Sequence, residues 1–348
     1  MNENFYTEAL QAYTGNSENY SVQPLDGGLI NHSYKITDKK SGESFLLQRI
    51  NHHVFKKPEN VQLNYQLLWK HLKSAAIDFY IPEPKYFSGD AELYWDVNHN
   101  YWRIFEFIED GKMLSNAETP EQARETAQTF AEFTATFHGF DVNDLKDTIP
   151  DFHNLSFRYS QFEDALEKNN SDRKENAKEF IEALQQRRQY VDFYNSLAGS
   201  KEYPKRVMHH DAKIANILFS KTTGKVICPV DFDTTMPGYF FSDLGDMIRS
   251  MACSADESST DFENITIRKE FYDVIVYGYL SVMSKFLTAA EKKNIHYAGI
   301  IIIYMQALRF ITDYLNGDVY YKTTYGEQNF DRARNQLTLL KALEQITR

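Results

Sequence analysis

Four polar side chains stand close together in the chain: His209, Asp211 and Asn216 within residues 207–216 (VMHHDAKIAN), and Asp231 within 230–233 (VDFD). The first three sit on a loop that precedes the strand-like run 217–219 (ILF). A second strand-like run, 225–230 (KVICPV), leads directly into Asp231. Two acidic loop tips on neighbouring short strands, with an amide between them, suit a hard divalent cation held beside a base. On this reading Asp211 is the base, and Asn216 and Asp231 are the oxygen ligands of Mg²⁺. Asp and Asn are also ordinary turn residues, so the loop has to be judged with the elements that position it.

With 348 residues, the chain exceeds the usual size of a single core, and two lobes are expected. Hydrophobic residues make up 42% and aromatics 15%, enough to build cores and to argue against disorder. The net charge of −11 argues against a nucleic-acid partner and against an acidic membrane surface, both of which select basic faces. It leaves a nucleotide possible, since such a site needs only local charge compensation. The two cysteines, Cys228 and Cys253, form no CxxC pair and suit a reducing cytosol, so a cytoplasmic protein is expected. The start, MNENFYTEAL, does not read as a signal peptide. The apolar run 297–308 is too short to span a bilayer and reads as a buried core helix.

The chain opens with a short helix over 5–13 and a strand–turn–strand pattern over 22–36. A turn at 39–42 and a third strand over 44–50 follow. Gly27 and Gly28 at the first tip permit a backbone that can close over phosphates, as an ordinary hairpin would also have. A helix over 58–73 comes next, with Pro58 at its start, then strands around 85–87 and 101–108. From Thr119 the pattern turns helical, with Thr capping and Pro in the first turn. Helices are expected to 137, over 171–197, and near 262–286, 290–316 and 330–347. In the last but one, Arg309 and Asp313 are placed to form an i,i+4 ion pair.

The loop with Asp211 and Asn216 five apart, followed by a strand-end Asp, resembles the kinase-like small-molecule phosphotransferases. These include the aminoglycoside phosphotransferases and choline kinases. The resemblance implies an α+β, two-lobed, protein-kinase-like fold: a small antiparallel β lobe over 1–107 that binds nucleotide, and a mainly helical lobe over 108–348 with the catalytic and substrate sites. It implies ATP and Mg²⁺ as cofactors, Gly27 and Gly28 over the phosphates, and a hinge at Glu106 to Ile108 that holds adenine. His209 then buttresses the loop, and Asp243, or more weakly Asp246, braces it through backbone N–H groups. One departure stands out: the third strand reads Leu46–Leu47–Gln48–Arg49, without the phosphate-gripping Lys, and the following helix has Asn64 where a Glu is expected. Either a neutral Gln48–Asn64 pair replaces the ion pair, or Arg49 holds the phosphates.

The segments GGLINHSYKI, FLLQRINHHVF, HHDAKIANILF, DFDTTMPGYFFSDLGDMIR and RFITDYLNGDVYYK, in that order, resemble the N-acetylhexosamine 1-kinase group of that superfamily. This narrower likeness implies that ATP phosphorylates the anomeric hydroxyl of the sugar. It assigns His32, Asp211, Thr234, Arg309 and Tyr320 to the sugar, with Asp233 as an alternative to Thr234. Two other readings remain: a kinase for another small hydroxyl acceptor (an aminoglycoside, choline or an amino alcohol), and a catalytically silent kinase-like binding module.

Overall fold

The computed structural model describes residues 6–25, 30–168 and 172–347. The chain forms two compact units. Unit 1 comprises Met1–Met113, Gly139–Pro150 and Ile217–Pro237; unit 2 comprises Leu114–His138, Asp151–Asn216 and Gly238–Arg348. Unit 1 therefore takes in 139–150 and 217–237, which a sequence division at 107/108 assigns to the other part.

In unit 1, helix α1 (Thr7–Thr14) ends at Gly15, whose φ of 72° closes the helix in the left-handed region that favours glycine. Strands β1 (Tyr20–Leu25), β2 (His32–Asp38) and β3 (Ser44–Ile50) follow as an antiparallel run. Helix α2 (Pro58–Ser74) comes next, then the short β4 (Pro84–Lys85) and β5 (Tyr94–Trp95), and the longer β6 (Tyr101–Glu106). The sheet order is β1-β2-β3-β6-β4, with β5 also on β6. Alternation along the strands sends Ile36, Phe45, Leu47, Trp102 and Ile104 to one face, where they bury Ala9 and Leu10 of α1. Burying each large apolar side chain contributes roughly 1.5–3 kcal/mol, so this face holds α1 against the sheet. Gln48 and Arg103 are direct partners in the β3–β6 register, one residue along from the buried Leu47 and Ile104. They therefore point to the opposite face. A second sheet in unit 1 joins Gly111–Lys112, Ile217–Ser220 and Val226–Pro229.

Unit 2 is helical. Helix α3 (Pro120–Thr136) starts in a capping box: Thr119 accepts from the Gln122 N–H while the Gln122 side chain accepts the Thr119 N–H. The remaining helices are α4 (Leu155–Lys168), α5 (Asp172–Asn176), α6 (Lys178–Gln185), α7 (Gln189–Leu197), α8 (Phe241–Met251), α9 (Lys269–Met283), α10 (Ala289–Lys293), α11 (Tyr297–Leu315) and α12 (Gln328–Ile346). The long helix expected over 171–197 is broken into α5, α6 and α7. At the second break Arg187 turns to grip Glu344, with Nε and Nη2 at 2.8 and 2.9 Å, while Ile181, Leu184, Val191 and Tyr194 stay buried on either side.

Helix α11 is the core of the unit and packs against α8, α12 and α4. It is the one described helix long and apolar enough to cross a membrane, and its residues are mostly buried inside the protein. Its approach to α8 depends on Gly245, where an added Cβ would lie 2.3 Å from the Ala298 carbonyl oxygen. Backbone cannot yield there, so only glycine allows this crossing.

Candidate active site

In unit 2 the short strand Arg206–Met208 feeds the loop that carries Asp211, and a 3₁₀ turn, Ile214–Asn216, closes it. The loop is pinned from α8. Asp243, fully buried, accepts the His209 N–H at 2.9 Å and the His210 N–H at 2.7 Å, one on each carboxylate oxygen. Burial pushes Asp243 up to about 7, against the two N–H groups that favour its anion, and the Asp246 and Asp211 carboxylates add to the rise. His209 is also fully buried; its Nδ1 accepts the Asp211 N–H at 3.3 Å, and its ring packs edge-on to Phe130. Asp246 is committed elsewhere, to Arg249 at 3.0 and 2.8 Å.

Asp211 is partly exposed. Asn216 Nδ2 donates to its Oδ2 at 2.7 Å and to its backbone carbonyl at 2.8 Å, and Lys213 Nζ lies 3.0 Å from Oδ2. Burial would raise the carboxyl, but the Lys213 ammonium and the Asn216 amide outweigh it and hold Asp211 below the ordinary carboxylate range. Asp211 is thus an anion at neutral pH. Sequence reasoning passed over Lys213; its signal is a cation two residues beyond an acid in a loop already under suspicion. With its amide nitrogen so engaged, Asn216 has an Oδ1 that accepts no hydrogen bond among the described residues, a hard oxygen of the kind Mg²⁺ takes.

His210 holds the loop in a strained shape, at φ 66°. Its Nδ1 lies 2.6 Å from Ser242 Oγ, which in turn lies 2.5 Å from Nδ1 of His153. One hydroxyl proton serves only one of these contacts, so the other ring must donate. Burial first, then the neighbouring His210 and Arg309, drive His153 well below the usual histidine range, and the ring stays neutral. Gly238 is required beside it, because an added Cβ would meet His210 Cε1 at 2.5 Å.

The Arg309–Asp313 ion pair that the i,i+4 spacing permits, the alternative to a sugar-binding role for Arg309, does not form. Asp313 instead accepts the Tyr320 and Tyr321 N–H groups at 2.8 and 2.9 Å and Asn329 Nδ2 at 2.9 Å, which fixes the turn after α11. Arg309 is left with Gln306 Oε1 at 3.1 Å and the rings of Phe152, Tyr321 and Tyr320 at 5.4, 5.5 and 5.9 Å. Tyr320 itself is 64% exposed.

In unit 1, Gln48 does not meet Asn64. Its Nε2 donates to Ser33 at 2.9 Å and its Oε1 accepts Arg103 Nε at 3.2 Å. Asn64 is wholly buried and bonds the Lys146 and Thr235 backbones. Asp233, expected as an alternative sugar contact, is buried with one oxygen on Arg103 Nη2 (2.5 Å) and the other on Asn31 Nδ2 (2.6 Å). Its carboxylate is therefore committed to an ion pair, which leaves Thr234 as the acceptor-facing candidate of the two. Arg103, opposite Gln48 on β6, is a residue sequence reasoning missed; its signal is a lone cation inside the apolar strand YWRIFE. Asp231 is exposed and left-handed, at φ 63°, at the start of the turn Phe232–Thr234. Arg49 stands between His32 and Trp102 in the strand register. Glu106 accepts Tyr80 Oη and the Glu83 N–H, both at 2.6 Å, and the Ile108 carbonyl accepts the Gly111 N–H at 3.0 Å. Gly27 and Gly28 lie outside the described residues.

A small antiparallel sheet and a larger helical part, with an acid–amide loop braced by a buried Asp, define a kinase-like phosphotransferase. Residues 21–268 match the phosphotransferase enzyme family, and the chain belongs to that family. Its fold is similar to an aminoglycoside phosphotransferase from Alicyclobacillus acidocaldarius, at 15% identity and a TM-score of 0.60, covering 97% of this chain and 94% of that one. An ethanolamine kinase from Plasmodium vivax is similar at 15% identity and 0.57, covering 95% and 88%. A spectinomycin phosphotransferase, solved with ADP and spectinomycin, is similar at 13% and 0.60, covering 97% of each chain.

Proposed function

We propose that this phosphotransferase moves the γ-phosphoryl group of ATP to a sugar hydroxyl, the anomeric hydroxyl of an N-acetylhexosamine. The observation that carries the reading is the state of Arg309: its carboxylate neighbour is committed to a turn, and the cation is left among aromatic rings. Aromatic faces beside a forked donor suit a polyhydroxylated ring bearing an acetamide.

Phosphoryl transfer asks a protein mainly for position and charge cancellation. Asp211, kept ionised, accepts a hydrogen bond from the acceptor hydroxyl and takes its proton as the new O–P bond forms. The Asp243 clamp keeps that carboxylate in place, and Lys213 offsets negative charge beside it. Asn216 Oδ1 suits Mg²⁺, with Asp231 as the other donor of the reading; the ion's chemistry is to neutralise phosphate charge. Glu106, Ile108 and Arg49 stay assigned to the nucleotide, while Gln48 acts through Ser33 and Arg103. The acceptor is further assigned His32, Thr234 and Tyr320.

An ATP-consumption assay with Mg²⁺ against N-acetylglucosamine, N-acetylgalactosamine, galactose, choline and kanamycin tests the reading. Turnover is expected with the N-acetylated sugars. Turnover with choline or kanamycin and with no sugar would overturn it in favour of a cationic acceptor, a reading that the half-buried positive charge of Arg309 opposes.

A further inference from the structure

A second arginine accompanies Arg309. Arg158 of α4 donates from Nη1 to Gln161 Oε1 at 2.9 Å and reaches the Phe152 carbonyl from Nη2 only at 3.5 Å. Its Nε is buried and has no acceptor. Phe152, whose carbonyl Arg158 reaches, also places its ring 5.4 Å from the Arg309 guanidinium. Among the described residues neither cation has a carboxylate within ion-pair distance, although most other buried or half-buried arginines do. Burial and then the Arg309 charge lower Arg158 to about 10, against Tyr321, Tyr320 and Asp151, which act in the opposite direction.

Such an arrangement is unfavourable by itself. A buried donor without a partner and two like charges close together both cost stability; Arg268 and Arg332 share the first feature, and what sets Arg158 apart is the second guanidinium beside it. Two forks with open donors match the planar or tetrahedral oxygens of an anion.

We propose that Arg158 and Arg309 form an oxyanion subsite in the acceptor region, and that the acceptor carries a carboxylate, sulfate or phosphate group besides the hydroxyl that is phosphorylated. The inference rests on the sugar-kinase reading for the acceptor's identity, but the subsite itself does not.

The test uses the full chain and inorganic sulfate as probe, at ionic strength held constant with chloride. At low millimolar concentration, sulfate should raise the melting temperature of the wild type by more than that of Arg158→Gln, and an equal rise in both would overturn the proposal. Without sulfate, Arg158→Gln should melt at or above the wild type; a lower melting temperature would mark Arg158 as structural and overturn the proposal. In the kinetic arm, N-acetylglucosamine 6-sulfate and N-acetylmuramic acid should exceed N-acetylglucosamine in kcat/KM by about tenfold, the scale of one charge-assisted hydrogen bond. Arg158→Gln should bring that ratio close to one. If sulfate binding depends on Arg158 but anionic sugars gain nothing, the ligand is a free anion and the proposal for the acceptor fails. If no sugar is phosphorylated while sulfate binding still depends on Arg158, the subsite holds and the sugar-kinase reading falls.

Discussion

Two arginine sites in this protein, one buried and one half-buried, are handled in opposite ways. In unit 1, Arg103 is almost fully buried and closed off by Asp233 and Gln48. In unit 2, Arg158 and Arg309 keep their charges without a carboxylate, although Asp313 stands one helical turn from Arg309. Compensated charge is architecture: it fixes β3, β6 and the turn after Asp231 to one another. On the proposal made above, the uncompensated pair is kept for a ligand, at a cost to the fold.

The largest effect should separate rate from stability. Asp211→Asn is expected to lower kcat by roughly 10²–10⁴-fold, the usual share of a general base, with an unchanged melting temperature; near-normal kcat in a steady-state assay would remove Asp211 as the base. Next, Arg103→Met leaves Asp233 buried and unpaired and should cost about 3–5 kcal/mol in urea denaturation. A loss below about 1 kcal/mol would erase the contrast between the two arginine sites. Within α11 the comparison can be repeated on neighbouring residues. Asp313→Ala should cost about 1–3 kcal/mol by stranding the donors of the following turn, whereas Arg309→Ala should raise the acceptor KM and spare stability.

The smallest effect is in pH. Asp243 is pushed up to about 7, so its ionisation and the loop clamp are completed as pH rises through neutrality. Activity should therefore rise with pH in that region. Because the folded-state pKa is raised, the stabilising contribution of this group is full below the ordinary carboxylate value and is lost as pH climbs through about 7. Activity and stability should move in opposite directions there, and parallel profiles would assign the titration elsewhere.

Local signals made much of unit 1 legible. Strand Ser44–Ile50 and the start of α2 at Pro58 depend on residues within a turn of one another, as does the capping box at Thr119 in unit 2. The loop around Asp211 was legible for the same reason, since its chemistry lies within six residues. Helix α4 escaped notice, and Arg158 with it, because SFRYSQFED mixes polar and apolar positions without a clean stripe. The kinase pattern places the partner of Gln48 on α2, but its partner Arg103 lies on β6, 55 residues along the chain. The fate of Asp313 could not be read either: an i,i+4 spacing permits an ion pair, and only the chain path after Asn316 brings two backbone amides to that carboxylate first.

The proposed phosphoryl transfer to an anomeric hydroxyl is tested most directly by ³¹P–¹H correlation NMR of the product formed from ATP, Mg²⁺ and N-acetylglucosamine or its anionic derivatives. A phosphorus resonance coupled to the sugar H1 is expected. A phosphorus coupled to the C6 protons, or inorganic phosphate as the sole product, would contradict it.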